Sequence, residues 1–247
     1  MNPTPINAVL VNARYAARAC LPRRRRIGLL LPALGALLFG LLAHAVEADT
    51  AAEAFADVAS AGLFSIVLPI GCLVIGDAVM GAEVRSGTLH YTWLSPIPRW
   101  TIVAGRWLTG TAAAAAVLGS ACAAAAVVGG ASELAIDTFV AITAGCAAYI
   151  ALFVMLGTVT RRAVVWSLGA VILGERLLGG ALDGIAQLSP GWLSRAAFAG
   201  LSGVDGLTRK GVPEGGAAIG RLVLVTAICL GVSAWRLNTL RLAGRSE

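Results

Sequence analysis

Arg23-Arg24-Arg25-Arg26-Ile27-Gly28-Leu29-Leu30-Leu31-Pro32-Ala33-Leu34-Gly35-Ala36-Leu37-Leu38-Phe39-Gly40-Leu41-Leu42-Ala43-His44-Ala45 is the stretch that decides the fold. Four consecutive cations lead into an apolar run, and a bilayer-spanning helix needs about 20 such residues at about 1.5 Å each. The run is long enough to span, so it reads as a retained first helix and not as a cleaved leader. The whole chain has the same texture. Hydrophobic residues make up 58% and charged residues 13%, against roughly 25% charged in soluble domains. A soluble fold of this length could not hide so much apolar surface from water. The class is an all-α integral membrane protein.

Five further runs follow the first, Ile27–Ala45. They are Ala61–Met80, with Pro69 as a tolerated kink, then Ile102–Val128, Thr138–Val159, Val164–Ile185 and Ile219–Trp235. The expectation is one transmembrane domain over residues 1–247, with six helices and no internal repeat. Residues 1–26 precede the first span. Ile6, Val9, Leu10, Ala13, Tyr15 and Ala17 give them an apolar side opposite Arg14 and Arg18, the pattern of an amphipathic helix lying in the membrane interface. Pro22 separates it from the spanning helix.

Loop charges set the orientation. With six crossings, Arg14, Arg18, Arg23–Arg26, Arg85, Arg99, Arg161, Arg162, Arg236, Arg241 and Arg245 share one side. The first two loops opposite hold Glu47, Asp49, Glu53, Asp57, Glu133 and Asp137 without Lys or Arg. Both termini are therefore placed in the cytoplasm, in the cell membrane. The last external loop, 186–218, mixes Arg195, Arg209 and Lys210 with Asp205 and Glu214 and goes against the trend. Trp93, Trp100, Trp166 and Trp235 fall near the inner interface and Trp192 near the outer one. The net charge of +6 sits beside apolar runs, which suits anionic lipid and not nucleic acid. Of Cys20, Cys72, Cys122, Cys146 and Cys229, four lie inside apolar runs with no close pair. They read as small buried thiols, not as a disulfide framework or a zinc site.

The loop at 81–99 is the informative connection. With the end of the second span it reads Asp77-Ala-Val-Met-Gly81-Ala-Glu83-Val-Arg85-Ser86-Gly87-Thr88-Leu89-His90-Tyr91-Thr92-Trp93-Leu94-Ser95-Pro96-Ile97-Pro98-Arg99. On residue type alone it is a polar cytoplasmic segment fit for docking. If helical, Glu83 and Arg85 face a partner while Leu89, Tyr91 and Leu94 hold the rod to the bundle.

The stretch also resembles the signature of the permease subunits of type-two ABC exporters. Asp77, Gly81, Glu83, Gly87-Thr88-Leu89, Leu94, Pro96 and Arg99 stand where that family has its acidic residue, Gly and Glu, Gly-Thr-Leu, leucines, proline and basic residue. Arg106 takes the place of a further basic residue common there. The basic amphipathic N-terminus, the six spans, the longer last external loop and the Arg161-Arg162 pair are similar too. The resemblance implies that this loop, Arg85 included, is a coupling helix seated on a separate ATPase. It also implies two ATPase subunits, which bind ATP and Mg, and a second permease copy or a related permease. No GxxxxGK[ST] phosphate loop occurs, and Lys210 lies in Thr-Arg-Lys-Gly, so no cofactor is assigned to this chain.

Two charges interrupt the fifth run, Glu175 and Arg176. An ionisable group at depth faces protein or a water-filled cavity. Glu175 and Arg176 are accordingly candidates for lining a pathway, with an early helix end at the outer interface as the other reading. Arg221 at the start of the sixth run snorkels to the headgroups on this reading, and Gly110, Ala114, Gly119 and Ala123 allow the third helix close packing. Short helices dipping into the outer leaflet are expected between Leu188 and Gly216. An enzyme is disfavoured. His44 and His90 lie at opposite interfaces, no Ser-containing Gly motif lies at depth, and Asp183-Gly184 lacks companion aspartates. The alternatives to the exporter permease are an ATPase-independent secondary transporter and a membrane anchor or assembly protein. The expected cargo is small or amphipathic: a drug, a peptide or a lipid-like compound.

Overall fold

In the computed structural model the residues described are 9, 11, 13–14, 23–46, 48–81, 98–160, 163–178, 183–204, 206–208 and 211–239. Among them there is no strand. The first helix, α1, runs Arg23–Ala45. Helix α2 spans Ala51–Val79, α3 Arg99–Val128, α4 Ser132–Val159 and α8 Gly215–Thr239. These last four are long and apolar enough to cross a membrane. Helix α5 begins as Ala163–Gly169 and continues as a wide-turned segment, Ala170–Leu178. The apolar stretches of α1 and α5, Leu30–Ala45 and Val164–Leu173, are shorter. Between α5 and α8 lie the one-turn α6, Asp183–Ala186, and the helix α7, Pro190–Ser202.

Helix α4 is the hub and packs on α2, α3, α5, α7 and α8. Its buried residues, from Thr138 through Tyr149 to Thr158, lie around most of its circumference, as expected for a helix that is apolar all round. Helix α1 lies outside this hub, against α2 and the later half of α3. Its Leu30, Leu31, Leu34, Leu38, Leu41 and Leu42 are exposed, a stripe that suits acyl chains.

Small residues set the distances between helices. A Cβ at Gly40 of α1 would come within 2.4 Å of the Ala125 carbonyl oxygen of α3. One at Gly76 of α2 would meet Phe153 of α4 at 2.8 Å, and one at Gly110 of α3 would meet Ile150 of α4 at 2.8 Å. Without a hydrophobic force between helices in lipid, such close van der Waals contact is what associates them. The expected close packing of α3 is found at Gly110, Gly119 and the fully buried Ala114. Cys72, Cys122, Cys146 and Cys229 are buried free thiols.

Several boundaries move outward from the sequence reading. Helix α2 starts ten residues early, because Thr50 caps it with its side chain accepting the Glu53 amide at 3.2 Å. Thr-x-x-Glu is a helix-start signature, and it places Glu53 and Asp57 inside α2. In the connection 186–218, where short helices are expected between Leu188 and Gly216, the described residues hold α7, Pro190–Ser202. Ser189 accepts the Trp192 amide at 3.3 Å, Pro190 takes the first turn, and Gly203 ends α7 at φ 69°, in keeping with the positional preferences of those residues. Before α1, Val9 and Ala13 are half-buried while Val11 and Arg14 are exposed, and Thr109 of α3 donates to the Ala13 carbonyl at 2.9 Å.

Leucine at position 40 should separate α1 from α3. Gly40→Leu is expected to destabilise the purified protein by about 1–3 kcal/mol through overpacking. Gly220→Ala, where an added Cβ meets nothing within 4 Å, should be neutral or slightly stabilising. Thermal unfolding in detergent checks the pair, and equal midpoints for both variants would contradict the packing described.

Candidate functional site

Two wide-turned stretches face one another near the middle of the bundle. One is Ala59–Val67 within α2, where the Leu68 amide reaches back to the Leu63 carbonyl. The other is Ala170–Leu178 of α5. Wide turns of this kind are rare and recur at functional sites. Here the Ser60 carbonyl accepts from Ser65 Oγ at 2.9 Å and from Arg195 Nη2 at 2.7 Å. Arg195 Nη2 also donates to Ser65 Oγ at 2.7 Å, and its guanidinium lies 4.8 Å from the centroid of Trp192.

Glu175 lies on the other side. Its carboxylate accepts from the Tyr149 hydroxyl and, at 3.3 Å, from the Gly191 amide. The Trp192 indole N–H donates to the Glu175 main-chain carbonyl at 3.3 Å. Gly191 belongs to the first turn of α7, whose free amides and dipole favour an anion. A larger residue there would displace the Tyr149 and Glu175 side-chain ends. A Cβ on Gly191 would sit 2.7 Å from the Tyr149 oxygen and 2.8 Å from Glu175 Oε2.

The depth of this cluster follows from its neighbours. Ser65 is the central residue of α2, Ala51–Val79, and Tyr149 lies within about a turn of the centre of α4, Ser132–Val159. Tyr149 is fully buried. A carboxylate and a guanidinium thus meet halfway along helices built to span hydrocarbon, where an ionisable group costs about 2.5–3.5 kcal/mol on insertion scales. Their hydrogen bonds offset that cost. Between them is a cavity of about 210 Å³, open on one side and lined by Phe64, Ser65, Glu175, Gly191, Trp192 and Arg195. Helix α7 is wedged in place beside it. Phe198 packs on Phe55 and Phe64 of α2 at 6.4 and 5.4 Å between ring centroids.

Of the two charges singled out in the fifth run, Glu175 is at the cavity, and Arg176 is placed by its main chain in the same segment, with its side chain outside the described residues. Tyr149, Ser65, Gly191, Trp192 and Arg195 complete the site and were not identified from sequence. Trp192 and Arg195 had been assigned to the outer interface and loop. The Ser189-Pro190 helix start was the signal that could have carried them inward. Arg221, read as a snorkelling residue, donates to Gln187 Oε1 at 2.9 Å and ties α8 to the turn before α7.

The second group of expected site residues is only partly described. Glu83, Arg85, Gly87, Thr88, Leu89, Leu94 and Pro96 lie outside the described residues. Asp77 and Gly81 occupy the last wide turn of α2. Arg99, expected at the ATPase contact, turns inward. Its Nη1 donates to the carbonyls of Leu237 and Asn238 at 3.1 and 2.9 Å. It thereby caps the C-terminal end of α8, where a cation is favoured. Arg106 is buried and donates to the Val79 carbonyl at 3.2 Å, at the end of α2. No protein-family model and no curated protein matches the chain.

Tyr149→Phe should cost about 1–3 kcal/mol, the penalty for leaving a buried polar partner unsatisfied. Combined with Glu175→Gln in a double-mutant cycle, it should show a coupling of about 0.5–3 kcal/mol. Strictly additive unfolding energies would mean that the hydroxyl does not hold the carboxylate.

Proposed function

We propose that the chain is the permease subunit of an ATP-binding cassette exporter that moves a small or amphipathic compound out of the cell. The observation that carries the transport reading is the polar cavity between Glu175 and Arg195 at mid-span depth. Hydrocarbon does not hold open a space bordered by two ionisable groups, and a cargo or its water does. The energy source rests on the resemblance of Asp77–Arg99 to the coupling segment of such permeases. ATP and Mg are then bound by a separate ATPase pair, and Glu83 and Arg85 meet it.

On this reading α1 and α5 complete six crossings and both termini are cytoplasmic, as the loop charges indicate. Helix α7 starts halfway through and runs to the outer face. A second permease, identical or related, covers the open side of the cavity, which acyl chains would solvate poorly. Arg99, bonded to the end of α8, joins the coupling segment to the bundle.

One observation favours the secondary transporter instead. The N-terminal amide of a half-length helix is aimed at a mid-depth carboxylate, an arrangement known from carriers with broken helices.

Two measurements separate the readings. The tagged chain, gently solubilised from its host, should bring down a soluble ATP-binding protein, and a Glu83→Lys/Arg85→Glu variant should lose most of it. In cells, Glu175→Gln should reduce export severalfold at equal membrane abundance. Transport by vesicles holding this chain alone, without ATP, would replace the exporter reading with the secondary carrier.

A further inference from the structure

We infer that the cavity beside Glu175 is a binding site for a zwitterionic head group, one ammonium and one anionic oxygen group a few atoms apart. This names the cargo class of the proposed pathway and rests on that reading for its role, though binding itself does not require it. Among the described residues, the charges lining the cavity are one carboxylate, Glu175, and one guanidinium, Arg195. They sum to zero. A net cation gains from Glu175 and is opposed by Arg195, and a net anion meets the reverse. Either would also bring an uncompensated charge to mid-span depth, where charge is least tolerated. A zwitterion places opposite charges against each group and leaves the total unchanged.

The apolar walls fit the same guest. Phe64 and Trp192 flank the charged groups and can cover the carbon atoms joining the two charges, while a ring face also attracts an ammonium. The walls are fixed before anything binds. Trp192 is held by its indole bond to the Glu175 carbonyl and by the Arg195 guanidinium over its ring. Arg195 is held by Ser60 and Ser65. Preorganised polar groups in a small apolar setting are the usual form of a specific site.

Volume sets the size of the guest. About 210 Å³ is below the roughly 300–1,000 Å³ of drug-sized pockets, so it takes a head and not a whole amphipath. The cavity is open on one side. On the two spanning elements that line it, Ile66 and Ile70 of α2 and Ile172 and Leu173 of α5 are exposed. A tail attached to the head would find lipid-compatible surface at this depth. The head could equally belong to a tail-less solute.

The test uses the full chain purified into nanodiscs of phosphatidylglycerol, which contain no zwitterionic lipid, with no ATPase present. Equilibrium binding is compared for four probes: lysophosphatidylethanolamine, lysophosphatidylglycerol and an alkylamine of equal tail length, and glycerophosphoethanolamine without a tail. The zwitterionic lysolipid should bind at least tenfold more tightly than the anionic and cationic probes. Both Glu175→Gln and Arg195→Gln should reduce that preference to a few-fold or less. Glycerophosphoethanolamine binding as well as the lysolipid would assign the site to a soluble zwitterion, and much weaker binding would assign it to a lipid head. Equal affinity for the three tailed probes on the unmodified chain overturns the inference, and needs no variant to fold. A chain that shows the preference but supports no export would sink the transport reading and leave the site standing.

Discussion

A carboxylate halfway through a membrane-spanning bundle has to find its hydrogen bonds inside the protein, and the middle of this molecule is arranged around that requirement. Glu175 obtains them from the Tyr149 hydroxyl and the Gly191 amide. Each donor imposes something further. Tyr149 has to project from the central helix α4, which brings α5 against the hub. The Gly191 amide is available only because a helix starts there, so the N-terminus of α7 has to reach mid-span. A Cβ at position 191 would press on both the Tyr149 hydroxyl and the Glu175 carboxylate. The rest of α7 is then committed to packing between α2, α4 and α8, with Phe198 against Phe55 and Phe64.

The same logic governs the cation. Arg195 is one turn along α7 from Gly191, so anchoring the helix by Glu175 delivers a guanidinium to α2. There the wide turn at Ala59–Val67 supplies a carbonyl, Ser60, and a hydroxyl, Ser65. A polar group at that depth has to be satisfied within the protein, and this carbonyl and hydroxyl do so for the guanidinium.

The spans were legible in the sequence because lipid imposes length and apolarity over some twenty residues, a signal that survives imprecise reading. Helices α2, α3, α4 and α8 stand where the apolar runs predicted them. Glu175 was legible for the opposite reason: a charge in such a run is conspicuous. Its partners were not. Tyr149 counts as apolar in any hydropathy window, and Ser65 is one hydroxyl in a span. Trp192 and Arg195 sit in a stretch whose mixed charge resembles a surface loop. Wide turns have no periodicity of their own. The caps at Thr50 and Ser189 are readable in their residue types, but a polar cap leaves no mark in hydropathy. Arg99 carries a contact that its residue type does not announce: its guanidinium donates to the Leu237 and Asn238 carbonyls at the C-terminal end of α8, where a cation is favoured.

Helix α2 connects the two ends of the proposed mechanism. Its last turns carry Asp77 and Gly81 and are held to α3 by the Arg106 bond to Val79. Its middle carries Ser60 and Ser65 at the cavity. Between them, Leu118 of α3 would lie 2.5 Å from a Cβ at Gly71, and Phe153 of α4 2.8 Å from one at Gly76. That stretch is too tightly packed to bend gradually, and packed interfaces respond by discrete shifts. A displacement that reaches Gly76 is therefore passed along this stiff segment to the wide turn at Ala59–Val67. That turn is where Arg195 is bonded. Under the exporter reading, motion delivered by an ATPase would be felt first at the guanidinium that faces the cargo, and only through it at α7. The position of the irregular turn, beyond the rigid packing and at the charged cavity, makes α2 a rod with a joint beside that cavity.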